Sequence, residues 1–276
     1  MLEVKNLLMR FNAQLLFEDV NLKLTRGNRY GLIGANGAGK STFLKILAGE
    51  IEANSGEIVI ENGLRVGVLG QDQFAFENFS VKDAVLYGNK RLFEAVKEKE
   101  QLYMSEEFTD AVNDRLAQLE MISAEEDPSY EYEVRIEKIL SSLGFSDFEK
   151  PMSEVENSDK FKVLLAQVLF PKPDILFLDE PTNNLDIDSI KWLENELNRH
   201  EGTMVLISHD RHFLNAVCTH ILDVDFKKIR QFAGNYDDWY IASTLVAKQH
   251  EMERDKKLKE KEELEKFIAR FSANAS

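Results

Sequence analysis

The sequence predicts an α/β fold with a mostly parallel core sheet, and three observations predict it. Between residues 163 and 225 buried strands alternate with helices: Asp174-Ile175-Leu176-Phe177-Leu178, Lys191 to Arg199, Met204-Val205-Leu206-Ile207, then Phe213 to Thr219. Unbroken apolar strands separated by helices are the wiring of parallel strands covered on both faces. The run Gly34-Ala35-Asn36-Gly37-Ala38-Gly39-Lys40-Ser41 stands between a short strand, Tyr30 to Ile33, and a helix whose apolar face is Phe43, Leu44, Ile46 and Leu47. The strand Leu176-Phe177-Leu178 ends in two carboxylates, Asp179 and Glu180.

The elements follow in order. Residues 1–70 read as a β-rich lobe leading into the loop, with Leu2-Glu3-Val4 alternating and Gly56 to Ile60 and Val66 to Leu69 strand-like, and an antiparallel β lobe is expected at the N-terminus. A helical insertion covers about 80–165. Its first part, Val81 to Tyr103, has helical spacing at Val85, Leu86, Leu92 and Val96. From 101 to 150 there are 13 acidic and 4 basic side chains, which reads as a solvated acidic face. From 244 to 271 one charged helix runs without Gly or Pro, as a solvated helix or half of a helical hairpin. The chain thus divides into a domain over 1–243 and the start of a linker helix over 244–276.

Composition narrows the function classes. No run approaches 18 uncharged apolar residues, so no membrane span is expected, and Met1 to Lys5 is no signal peptide. One cysteine, Cys218, falls in a helical apolar pattern, which suits packing and a cytoplasmic setting. The net charge of −15 argues against broad, nonspecific binding to nucleic acid while leaving room for a local basic surface.

The glycine run fits the phosphate-binding loop, G-x-x-x-x-G-K-[S/T]. Its glycines let successive backbone N–H groups point at a β-phosphate, and the helix start adds partial positive charge. Lys40 suits the β- and γ-phosphates, and Ser41 offers a hydroxyl to Mg2+. Gly34, Asn36, Gly37, Ala38, Gly39, Lys40, Ser41 and Thr42 form the expected nucleotide-contacting set. Asp179 suits the Mg2+ water shell, and Glu180 suits a general base for the attacking water.

With Pro181-Thr182-Asn183-Asn184-Leu185-Asp186 directly after the carboxylates, the chain resembles an ATP-binding cassette of the P-loop NTPase class over nearly its whole length. The resemblance implies ATP and Mg2+ as ligands and ATPase activity. It makes Gln71, in Val68-Leu69-Gly70-Gln71, a contact to metal and attacking water. It makes His209, in Ser208-His209-Asp210-Arg211, a γ-phosphate contact, and Phe11 a ring that stacks on adenine. Asp186 would lie in the loop that crosses between paired cassettes.

One element departs. The family's L-S-G-G-E/Q signature aligns with Val155-Glu156-Asn157-Ser158-Asp159-Lys160, where both glycines are gone. That motif would clamp the nucleotide of an opposing cassette, with Ser158 as the remaining hydroxyl here, while Glu156 and Asp159 bring negative charge towards a polyphosphate. A slow site is expected there.

The string Asn183 to Asp186, the segment Ser208 to Leu214, Gly234-Asn235-Tyr236, and the helix running into Phe267 to Ala275 resemble the ABC-F group of soluble tandem-cassette translation factors. Gln71 to Glu77 is similar to its YbiT-like subgroup. This implies a second cassette in the same protein, ribosomal partners (rRNA and tRNA) and no membrane. The isolated domain would be a monomer or a nucleotide-dependent dimer. Two other readings are an ATP-binding subunit of an ABC transporter and an ATP-dependent scaffold with little hydrolysis.

Overall fold

Period-two burial sorts the central strands onto two faces, and each face has its own core. In β6 (Ile175–Asp179) Ile175 and Phe177 face one side while Leu176 and Leu178 face the other. β7 (Thr203–Ile207) repeats this with Val205 and Ile207 against Met204 and Leu206. Such double-sided burial is why these strands read as continuous apolar runs. The computed structural model describes residues 1–11, 14–105 and 109–273, with the backbone alone for 247, 250, 251 and 266–273. Asn12 and the terminal Asn274, Ala275 and Ser276 lie outside the described residues.

The main sheet has six strands in the order β5-β6-β7-β3-β8-β9. Here β3 is Arg29–Gly34, β5 Val66–Val68, β8 His220–Asp225 and β9 Lys228–Ala233. All neighbours are parallel except β9, which pairs antiparallel with β8. On one face lies α1 (Lys40–Leu47) beneath an antiparallel sheet of β1 (Leu2–Phe11), β2 (Gln14–Leu24) and β4 (Ser55–Ile60). On the other face lie α6 (Asn157–Leu169), α7 (Ile187–Arg199) and α8 (Arg211–Val217).

The insertion forms a helical subdomain from α2 (Val81–Leu86), α3 (Lys90–Met104), α4 (Asp110–Glu126) and α5 (Tyr132–Ser142). Its core joins Val85, Leu92, Ile136 and Leu140 to Val163 and Ala166 of α6. Since Leu164 and Leu165 pack into the sheet core, α6 bridges the two units. The helical spacing from Val81 to Tyr103 resolves into two helices rather than one. A turn at residues 87–89 separates them, and glycine is needed in it at Gly88, where a Cβ would stand 2.0 Å from the Gln167 carbonyl oxygen. Asn89 then caps α3, its Oδ1 accepting from Leu92 N at 3.2 Å.

The C-terminal helix α9 (Tyr236–Ala273) begins eight residues before the 244 read from its charge pattern. Asn235 and Asp238 start it by reciprocal bonds: Asp238 N donates to Asn235 Oδ1 at 3.1 Å and Asn235 N to Asp238 Oδ2 at 3.0 Å. Its first turns are docked, with Trp239 Nε1 donating to Asp223 Oδ2 at 3.1 Å. Further along, Leu245, Met252, Leu258 and Leu264 are exposed, so a solvated helix describes that part. Among the described residues no helix is long and apolar enough to cross a membrane.

Candidate nucleotide-binding site

The C-terminal ends of the parallel strands build the site, as expected where strands deliver loops to one edge of a sheet. β3 enters the phosphate loop, and α1 leaves it. Gly37 and Gly39 adopt φ of 79° and 99°, the left-handed region that favours glycine. A Cβ at Gly39 would also meet Leu16 and Phe17 at 3.3 Å, so glycine is required there on two counts. Gly39 is the N-cap of α1 and supplies no side-chain bond, and the first turn holds no acidic residue. The first N–H groups of α1 are therefore presented to an anion without a built-in competitor. Lys40 Nζ donates to the loop's own carbonyls, Gly34 O at 3.0 Å and Ala35 O at 3.2 Å.

The neighbouring strands add the carboxylates. Asp179 ends β6, and its Oδ2 accepts from Gln71 Nε2 at 3.2 Å. Gln71 follows β5, which is the partner of β6, so the pairing of two parallel strands brings these side chains together. Glu180 continues β6 in the left-handed region, φ 51°, while its N–H still donates to Ile207 O of β7 at 2.9 Å. Its carboxylate receives His209 N at Oε2, 3.3 Å, and His209 Nε2 lies 3.4 Å from Oε1. Oε1 is buried and accepts no hydrogen bond of good geometry. A buried carboxylate oxygen left this way calls for a donor from a ligand or water in the cleft.

One cleft of about 490 Å3 collects Asn36, Gly37, Gly39, Lys40, Ser41, Thr42, Gln71, Asp179, Glu180 and His209. Gly34 lines an adjoining cleft of about 650 Å3, which shares Lys40 and His209 and runs to Trp239 of α9. Ala38 packs against the core beneath the loop. Besides Ala38, three expected residues stand apart from both clefts. Phe11 is 62% exposed at the end of β1. Ser158 is exposed in the first turn of α6. Asp186 caps α7, accepting from Ser189 N at 2.8 Å and from Lys162 Nζ at 2.8 Å. Those two donors, Lys162 foremost, hold its carboxyl well below the usual carboxylate range.

The expected set omitted Gln73, Phe161, Asn183, Asn184 and Ile207, which also line the cleft. Gln73 had a signal: in an extended segment it shares a side with Gln71 two residues earlier. Phe161 had none, because at helical spacing it reads as a core residue.

The donor set suits Mg2+ better than a metal caged by protein. Ser41, Gln71 and Asp179 offer a hydroxyl, an amide oxygen and one carboxylate, all hard oxygen ligands in the cleft that holds the phosphate loop. Among the described residues no group of three or more His, Cys, Asp or Glu forms a metal cage. Mg2+ characteristically takes one or two protein ligands and completes its shell with water and phosphate oxygens.

The family model described as ABC transporter matches residues 17–183, and an extension model with the same description matches 222–276. The chain is 50% identical to the Bacillus subtilis uncharacterized ABC transporter ATP-binding protein YkpA, over all of this chain and 51% of that protein. It is 48% identical to the probable ATP-binding protein YbiT of Escherichia coli O157:H7, over all of this chain and 52% of that protein. The energy-dependent translational throttle protein EttA of Haemophilus influenzae is 34% identical over 81% of this chain and 41% of that protein. The chain thus spans about half the length of the curated relatives it matches. Among solved structures, an ATP-binding subunit of an ABC transporter superposes with a TM-score of 0.64 at 20% identity, over 88% of this chain and 99% of that one, which speaks for the fold. The chain belongs to the ATP-binding cassette family of ATPases, and within it is an ABC-F-type cassette.

Proposed function

We propose that this chain is the first of two cassettes in a tandem ABC-F protein that binds Mg·ATP, hydrolyses it and works on the ribosome in the cytoplasm. The observation that carries the catalytic part is Glu180, whose buried Oε1 accepts no hydrogen bond of good geometry, has His209 Nε2 3.4 Å away and stands in the same cleft as the phosphate loop. In this reading Lys40 and the α1 N-terminus hold the phosphates, and Ser41, Gln71 and Asp179 hold Mg2+, which neutralises phosphate charge. Glu180 takes the proton of the attacking water, and His209, beside it, contacts the γ-phosphate. Phe11, a large aromatic left on the surface at the end of β1, offers its face to the adenine ring.

The ribosomal part is supported by the Asn183-Asn184-Leu185-Asp186 string, by the helix α9 and by similarity to a protein named as a translational throttle. The domain division, a cassette over 1–243 and a linker beginning near 244, belongs to the same proposal, with the helix itself already formed from Tyr236. The scaffold reading keeps one observation in its favour. Glu156 starts α6 where the family places its signature serine, and it makes no capping bond. In a pair of cassettes this would slow the site that the motif completes.

Co-sedimentation with purified ribosomes in ATP tests the proposal. The tandem protein with Glu180→Gln and the matching change in its second cassette is expected to bind stably, and residues 1–276 alone weakly. Binding of the trapped protein to a membrane permease instead of ribosomes would favour the transporter reading.

A further inference from the structure

Lys160 is the one buried cation among the described residues, 3% exposed, and it lies in the departed signature segment. Its Nζ donates to Glu77 Oε1 at 2.9 Å and stands 4.8 Å from the centre of the Phe74 ring. Both partners are themselves exposed, Phe74 by 57%. The ammonium is therefore covered by the loop that lies over it rather than by the core.

That loop, residues 71–79, contains no regular helix or strand. It carries Gln71 and Gln73 into the nucleotide cleft. Lys160, by contrast, sits on α6, which is gripped by both cores through Val163 and Leu165. The loop is anchored where Phe76 and Phe79 pack against the cores, and Lys160 adds a charged tie to α6 through Glu77 and the Phe74 ring. Covering an ammonium is costly unless a countercharge and a π face meet it, and the loop brings both. We infer that Lys160 is a positioning residue: it latches the 71–79 segment onto α6 and so sets where the Gln71 amide stands beside Asp179. If the stretch from Gln71 to Phe74 lifts, the ammonium regains water on that side and keeps Glu77, so no stranded charge is left.

The inference rests on the reading of Gln71 as a contact to Mg2+ and the attacking water, and goes beyond it by naming what places that side chain. Its signature is selective. Nucleotide binding through the phosphate loop needs no help from residues 71–79, whereas the response to Mg2+ does.

Calorimetric titration of ATP into this chain, in EDTA and across a Mg2+ series, tests it. Lys160→Met is expected to leave affinity in EDTA unchanged and to raise the Mg2+ concentration needed for half of the Mg2+ effect by about 10-fold, the scale of removing an outer-shell partner. Glu77→Gln, on an exposed residue that does not threaten folding, should shift it in the same direction, and Lys160→Arg should restore it in part. A wild-type Mg2+ response retained by both Lys160→Met and Glu77→Gln overturns the latch, as does equal loss of affinity in EDTA and in Mg2+. A wild-type chain that binds ATP with no Mg2+ response overturns the Gln71 assignment, and the latch with it.

Discussion

His209 meets both oxygens of Glu180: its backbone N–H donates to Oε2 at 3.3 Å, and its Nε2 lies 3.4 Å from Oε1. The carboxylate, just past the end of β6, is held by His209, two residues past the end of β7, so its position depends on the parallel pairing of those strands. Glu180→Gln keeps this shape and removes the proton acceptor. In the tandem protein it should retain ATP affinity and lose turnover by about 100-fold or more, the usual scale for a general base. Equilibrium nucleotide binding beside steady-state phosphate release checks it; unchanged turnover would remove Glu180 from the role of base.

Lys40→Ala should act on the other side of the ledger. Its ammonium, now bonded to the Gly34 and Ala35 carbonyls, is a charged donor inside the phosphate loop. Losing a charged hydrogen bond amounts to about 1.5–3 kcal/mol, or roughly 10- to 100-fold in affinity. Titration of ATP with Mg2+ present measures it. Affinity equal to that of Glu180→Gln would merge two roles that the geometry separates.

Gly88→Ala should destabilise the junction of the helical subdomain with α6. The added methyl would be driven against the Gln167 carbonyl at 2.0 Å, a backbone atom that cannot step aside. Overpacking of this kind costs about 1–3 kcal/mol. Urea unfolding reads the loss, and an unchanged midpoint would show that α2 and α6 separate freely.

Acid should weaken the fold through His200. Burial pushes its imidazole below the ordinary 6.5, and its Nε2 is buried with no hydrogen-bond partner. His220 is pushed the same way by burial. In both, the unfolded chain binds the proton more readily. The stability they allow is therefore complete above 6.5 and is lost as pH falls from there towards the folded values. The melting temperature should drop through that window by roughly 2–4 °C per kcal/mol of linkage, and His200→Gln should flatten part of the slope. A flat wild-type profile between about pH 7.5 and 5.5 would contradict the burial of His200.

The phosphate loop, the carboxylates after β6 and the strand–helix alternation were legible in the sequence because each is a local pattern. A Gly-rich turn needs particular residues at consecutive positions, and a doubly covered strand must be apolar throughout. The antiparallel N-terminal sheet was legible through the alternation of Leu2, Glu3 and Val4, but Val66 to Val68, read into the same β-rich lobe, pairs parallel with β6 in the main sheet because its partner strand lies more than a hundred residues away. The start of α9 was misplaced because its charge pattern begins near Lys248, whereas the helix begins where Asn235 and Asp238 cap it and Trp239 docks on Asp223. The break in the helix from Val81 to Tyr103 escaped because Gly88 is required by Gln167, a contact between residues distant in the chain.

By itself, then, the sequence determined the fold class, the phosphate-binding loop, the carboxylates Asp179 and Glu180, and the family. Only the tertiary structure decided how those groups are held. It put Gln71 3.2 Å from Asp179, it set His209 beside Glu180, and it joined Asp186 to Lys162 and the start of α7. It also set Lys160 beneath Glu77, 83 residues away. The physical reason is range. Propensity, capping and strand periodicity act within a few residues, whereas these contacts form only after strands far apart in the chain pair in register and bring their loops to one edge of the sheet.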